Sequence, residues 1–440
     1  MARIQWTPAS SRKQSRRKRW VLVFGALIVF VFVGLLPLVG RINLFNFTVS
    51  GSSQIEQFHA DINSGYASLE EPIWSHKPRE EINSLPVAID ESVFLVVGNS
   101  AQNGSLRSLN LADGAENWSY KLNSVSTHEP IVFGEFIAVG DRSGTLHVLN
   151  HLTGKPIWEF QADSPVIGSA IVVKGLMYFA TTYGVHCLDA ETGESKWFTE
   201  TGNSFSGPLQ ISEEKKVLSV VGNSGIYGSE LILYILDIDS GGKRLTFPLT
   251  SVSPNKPIIA GETIAISSEI RSVVAVNLLA ENNPYVKTLN SLKRNAFILG
   301  LFDQFPLPYG YSWHLPVEGG LSISVLSDGS RFYIIEGGQY SQSSIRIAGD
   351  TRPSKVQSIN PTDGDIIWER SLNVSLVSSG SLIDNGILLA SSDGFIINLD
   401  KNSGKENWRF STDLRILDRP IPHKGNIFVI SHDNGIHAYR

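Results

Sequence analysis

One phrase recurs along this chain and limits what it can fold into. Residues 145–160 read TLHVLNHLTGKPIWEF: an alternating apolar strand, a turn containing Thr-Gly, then a second strand carrying a tryptophan. Related copies read LRSLNLADGAENWSY, GVHCLDAETGESKWF, VQSINPTDGDIIWER and FIINLDKNSGKENWRF. Their tryptophans are Trp118, Trp158, Trp197, Trp368 and Trp408; the steps 118 to 158, 158 to 197 and 368 to 408 are 40, 39 and 40 residues. A fixed interval of that size marks a repeat array. Two weaker copies fill the gap: LYILDIDSGGKRLTF lacks the tryptophan, and SVVAVNLLAENNPYVKTL keeps only the alternation. NGIHAYR, residues 434–440, supplies an eighth inner strand.

Two further strands precede most copies, clearest in PVIGSAIVVKGLMYFATTYG (165–184) and GSLIDNGILLASSDG (380–394). Four short strands in about 40 residues make one propeller blade. Such a sheet has two apolar faces and cannot cover either by itself, which is the physical reason to repeat it. The glycines of the third-to-fourth-strand turns, Gly114, Gly154, Gly193, Gly364 and Gly404, tolerate φ > 0. The tryptophan after each turn is expected to fill a seam between blades. A lone Trp strand, EEPIWSHK around Trp74, has no hairpin before it. Pairing it with the last inner strand near Ala438 would complete the eighth blade and remove both free edges. The sequence therefore predicts an all-β, eight-bladed propeller of four-stranded blades, residues 71–440, closed by its N- and C-terminal strands.

Residues 289–316 do not follow the blade pattern. Phe297, Phe302, Phe305, Tyr309, Tyr311 and Trp313, interspersed with Pro306, Pro308 and Pro316, read as an ordered aromatic insertion between the fifth and sixth blades. Packing over the rim or plugging the channel is the plain expectation; exposed aromatics of this kind also make interface anchors, so Phe302, Phe305, Tyr309, Tyr311 and Trp313 are candidate partner-binding residues.

The N-terminus is a separate matter. Eight of the 37 Lys and Arg lie in residues 1–41, which hold no acid, so the other 29 face all 42 acids and leave that part at −13. Such an acidic domain argues against nucleic acid as partner. Val21–Gly40 is 20 residues without a charge, long enough to span a bilayer as a helix. Residues 1–19 are expected to form a basic cytoplasmic tail, 20–40 a transmembrane helix, uncleaved because it exceeds a signal peptide's apolar stretch, and 41–70 a linker. The basic flank before the helix places the propeller outside the cytoplasm. With Cys187 as the only cysteine, no internal disulfide is available.

The phrase resembles the quinoprotein-type, or PQQ-like, repeat, with Leu188, Asp189, Thr192, Gly193 and Trp197 as the best match. One branch of that family implies a dehydrogenase holding pyrroloquinoline quinone and calcium in the channel, with an aspartate as base. The other, BamB-like, implies a scaffold for membrane-protein assembly without a cofactor. The chain is shorter than the enzymes, has no adjacent cysteine pair, and shows no Asp, Asn and Glu cluster outside the repeat positions; it departs from BamB-like proteins in lacking their N-terminal lipidated cysteine. The recurrent Asp189, Asp237, Asp239 and Asp400 read as turn formers rather than cation ligands, and His147 with His151 lacks metal-ligand spacing. No catalytic residue, metal or cofactor is assigned. A membrane-tethered binding or scaffolding module with a protein partner is expected, the alternatives being a quinoprotein oxidoreductase or a ligand-binding sensor.

Overall fold

The structure, a computed structural model, describes residues 70–100, 103–201, 204–205, 209–224, 230–249, 256–268, 272–278, 310–317, 322–337 and 354–440, with short pieces at 57–58, 288 and 292–293. The expected tail and membrane helix lie outside these residues. Among the described residues, no helix is long and apolar enough to cross a membrane.

Eight separate sheets, antiparallel apart from one short strand added to the sixth, follow one another along the chain. Seven blades span residues 87–122, 131–161, 171–200, 210–249, 258–316, 322–372 and 376–411. The eighth combines three strands within 421–439 with Trp74–His76, whose Trp74 pairs with Ala438 and Ser75 with His437. This is the closure the lone Trp strand predicts. Within each blade the strands are hydrogen-bonded in the order first to fourth, Trp74–His76 taking the fourth place in the eighth blade.

The core is divided among the seams. Phe94, Val96 and Leu106 of the first blade meet Ile137, Val139 and Leu149 of the second. Leu146 and Val148 of the second meet Met177, Phe179 and Leu188 of the third. Alternation explains this: successive residues of an inner strand face opposite seams, so neither apolar face stays wet.

The tryptophans couple one blade to the next. Trp368 lies over Gly404 and donates its indole N–H to the Lys401 carbonyl at 3.1 Å. Trp74 does the same over Gly114, bonding Leu111 O at 2.9 Å, and Trp118 over Gly154, bonding His151 O at 3.1 Å. Each glycine has φ near +70° and leaves room for the ring that a side chain would occupy. Trp158 and Trp197 lie over Gly193 and Gly241 in the same way, but their indole nitrogens find no acceptor. Trp408 differs. The blade after it takes its fourth strand from Trp74–His76 instead of from a hairpin, no turn glycine is presented, and Trp408 stays 41% exposed, stacked on Phe410.

The aromatic segment needs correction. Tyr311–Pro316 is the fourth strand of the fifth blade, paired with Ser272–Asn277. Trp313 is buried there, docks over Gly364 and bonds Pro361 O at 2.8 Å. It is thus the fifth blade's repeat tryptophan, displaced because the chain makes a detour of about thirty residues inside the hairpin, not between blades. In the fourth blade Leu245 takes the tryptophan's place, opposite Ile235. Gln57–Phe58, within the segment read as a linker, pairs in parallel with Glu369 and Arg370 on the outer edge of the sixth blade.

Candidate functional site: the cleft between the second and third blades

The candidate interface residues divide. Phe302, Phe305 and Tyr309 lie outside the described residues. Tyr311 donates its hydroxyl to Pro248 O at 2.8 Å, and burial pushes its pKa up to about 12. Trp313 is buried in the seam and is not a free anchor, whereas Tyr311 on the same strand is half-buried with its hydroxyl engaged.

The repeated aspartates close turns. Asp189 accepts from the backbone N–H of Glu191 and Thr192 and from the Thr192 hydroxyl; Asp237 and Asp400 make the same bonds with Ser240 and Ser403. Asp239 pairs with Lys216 at 2.9 Å. These contacts fix each hairpin.

Register decides what the seams hold nearer the rim. In successive blades Arg107, His147, His186, Tyr234, Val274, Gln357, Ile397 and His437 stand on the third strand, each opposite the residue that follows the repeat tryptophan or its replacement. Each faces the preceding blade, beside a fourth-strand partner. In the seam between the first two blades this position is closed by polar contacts. His147, fully buried, lies between Asp141 (3.1 Å) and Glu159 (2.9 Å), and Tyr120 of the first blade donates to Glu159 at 2.9 Å. Burial and that bond push the Tyr120 hydroxyl up to about 12. Burial alone would raise the Asp141 carboxyl, but hydrogen bonds from His147, Ser143 and Thr145 prevail and hold it below its usual range.

The next seam has the same layout and different chemistry. Opposite His186 stands Phe198 where the second blade has Glu159, and Phe160 replaces Tyr120. Phenylalanine cannot form the hydrogen bond that shuts the first seam. His186 stacks on Phe179 with ring centres 4.9 Å apart and meets Phe198 at 4.5 Å and Phe160 at 5.6 Å. It is 9% exposed, and burial pushes its pKa down to about 4, with Asp163 partly opposing.

What remains open is a cleft of about 380 Å³. Phe160, His186, Phe198 and Tyr183 form its apolar surfaces, while Asp163, Ser164, Thr181, Ser195 and Glu200 supply oxygen atoms. Phe198 and Tyr183 are each 50% exposed. A β-bulge between Cys187 and Leu188 makes Lys196 the extra residue, so Ser195 and Phe198 both face the cleft. Lys196 is tied to Glu194 at 2.8 Å, and among the described residues no lysine or arginine lines the cavity. Ser195 and Glu200 are the ends of one strand, so at about 3.3 Å per residue the cleft is roughly 17 Å long.

Sequence reasoning missed this site because it read Trp197-Phe198 as a repeat word. Aligned on Trp118, Trp158, Trp197, Trp313, Trp368 and Trp408, the following residues are Ser119, Glu159, Phe198, His314, Glu369 and Arg409. Phe198 is the one apolar member of that series, and this was the available signal.

Comparison with known proteins gives relatives of two kinds. The outer membrane protein assembly factor BamB of Burkholderia pseudomallei is 22% identical over 363 residues, covering 81% of this chain and 83% of that protein. The quinoprotein alcohol dehydrogenase PedH of Pseudomonas putida is 29% identical, but over only 117 residues, 25% of this chain and 20% of the enzyme's length. Among solved structures, BamB from Moraxella catarrhalis shares the fold with a TM-score of 0.54 at 14% identity, covering 84% of this chain and 97% of that one. Residues 102–296 and 352–440, well over half of the chain, match the family described as outer membrane protein assembly factor BamB, and the protein belongs to that PQQ-repeat propeller family.

Proposed function

We propose that this protein is a membrane-anchored, extracytoplasmic propeller that acts as a protein-binding scaffold in the cell envelope. The open cleft between the second and third blades carries the reading. It exposes two large aromatic rings beside two exposed carboxylates on a wall of sheet, the composition of a protein-recognition surface. The near full-length similarity to BamB supports a role in assembly. The charge-free stretch Val21–Gly40 and its basic flank support anchoring with the N-terminus in the cytoplasm.

Photo-crosslinking in intact cells tests this. With benzoyl-phenylalanine at Tyr183 or Phe198, a discrete membrane-associated protein adduct is expected; the same group at exposed Lys174 should give none. Equal yields at all three positions would refute the scaffold reading.

Among the described residues, no set of side chains suited to a quinone and its calcium comes together. Calcium beside the quinone needs several converging hard oxygens, and among the described residues no group of three or more His, Cys, Asp or Glu side chains is arranged to hold a metal. Glu129, in the loop entering the second blade, is held by Arg419 through both oxygens at 2.9 and 3.0 Å. Pyrroloquinoline quinone with Ca²⁺ should therefore leave the melting temperature unchanged and give no dye reduction. Tight binding with turnover would overturn the non-enzymatic assignment.

A further inference from the structure

We infer that the cleft between the second and third blades is a clamp for a cationic side chain, arginine above all, carried by an extended segment of the partner. The inference rests on the protein-binding reading and adds the chemistry that the partner must present.

The reasoning starts from charge. Asp163 and Glu200 line the cavity with no cation among the described residues of its wall, and the base on the same strand, Lys196, is already engaged by Glu194. Asp163 and Glu200 are both exposed, and among the described residues neither forms an ion pair. The aromatic faces come next. Phe198 and Tyr183 stand half exposed, and a cation over such a ring is attracted by its quadrupole. A planar guanidinium suits the combination better than an ammonium, because it stacks on a ring and presents a fork to a carboxylate at once. His186 does not oppose a cation at neutral pH, since burial keeps its ring neutral.

Shape completes the argument. The cleft runs the length of Ser195–Glu200, so it accommodates four to five residues of extended chain at about 3.3 Å each. The neighbouring seam shows what happens without these features. There Tyr120 and Glu159 bond each other and satisfy His147, and the charge is consumed internally.

The test uses the purified full-length protein and two probes, acetyl-Gly-Arg-Gly-amide and the same peptide with citrulline, which keeps the shape and loses the charge. Saturation-transfer NMR titrations should show the arginine peptide binding about tenfold more tightly than the citrulline one. Asp163→Asn with Glu200→Gln should abolish that preference, and Phe198→Ala should weaken both probes. All of these positions are partly or fully exposed, so unchanged melting temperatures are expected and are checked in parallel. Equal affinity for the two peptides, or an arginine preference that survives in the double variant, would overturn the clamp. Crosslinking from Tyr183 separates the two claims: an adduct that persists undiminished in the double variant sinks the clamp and leaves the scaffold reading standing.

Discussion

The seam between the sixth and seventh blades permits a quantitative test of how the ring is held. Gly404 has φ +68°, and a Cβ there would lie 2.5 Å from Cε3 of Trp368. Normal carbon contacts are about 3.5–4.0 Å, so the indole would have to retreat by about 1 Å. That movement also strains the N–H bond to Lys401. Gly134 is the control: its φ is +53° and nothing lies within 4 Å of the added carbon. Left-handed backbone costs an L side chain about 1–2 kcal/mol at either position, and overpacking adds about 1–3 kcal/mol at Gly404 alone. Gly404→Ala should thus lose about 2–5 kcal/mol and Gly134→Ala about 1–2, read from urea midpoints with unchanged slopes. A cycle with Trp368→Leu should give a coupling of at least about 1 kcal/mol, since removing the ring removes the clash. Equal losses for the two alanine variants, or a cycle without coupling, would refute the claim that indole-on-glycine docking joins the blades.

Two other outcomes follow from the same geometry. Trp368 is 4% exposed and Trp408 is 41% exposed, so truncation to alanine should cost about 3–5 kcal/mol at the first and about 1 at the second, measured by denaturation. A native His186 pKa near 4 against an unfolded value of 6.5 means that the unfolded chain binds the extra proton. This contribution is intact above about pH 6.5 and is lost as pH falls towards 4, amounting to about 2 kcal/mol by pH 5. His186→Phe should flatten the stability profile between pH 7 and 5 by that amount; parallel profiles for the two proteins would show that His186 is not the group responsible. His128, also pushed down to about 4 by burial with Arg142 assisting, accounts for slope common to both.

The repeat was legible because its physics is local. A turn glycine, an Asn or Asp capping the turn and a tryptophan four residues after the glycine are enough to locate a hairpin, and the unpaired Trp74 strand implied its distant partner. Trp313 was not legible, because a long excursion within the hairpin breaks the spacing while leaving the register intact. Its Pro361 acceptor and Gly364 socket identify it only once strands are aligned in space. The cleft was hidden for a different reason. Whether a seam closes depends on pairs such as Tyr120 with Glu159, which lie 39 residues apart in different blades, and no single copy reveals that Phe160 and Phe198 cannot do the same.

Repetition and specialisation therefore occupy different positions of one template. The turn glycine, the Asn or Asp that caps the turn and a large apolar residue, usually tryptophan, recur in most copies, because each blade needs its neighbour. The residue after the tryptophan, and its inner-strand partner, are free to vary, since the apolar layer beneath already closes the seam. Variation there has a local cost: Trp158 and Trp197, flanking the third blade, are the repeat tryptophans whose indole nitrogens lack an acceptor. The third blade thus lacks the indole N–H bonds made by the tryptophans Trp74, Trp118, Trp313 and Trp368, and Thr199 bonds Gly241 O instead at 2.8 Å. A site that must admit a side chain from outside cannot also spend its polar groups on closing the seam, and this exchange is written in the substitution of Phe198 for a residue like Glu159.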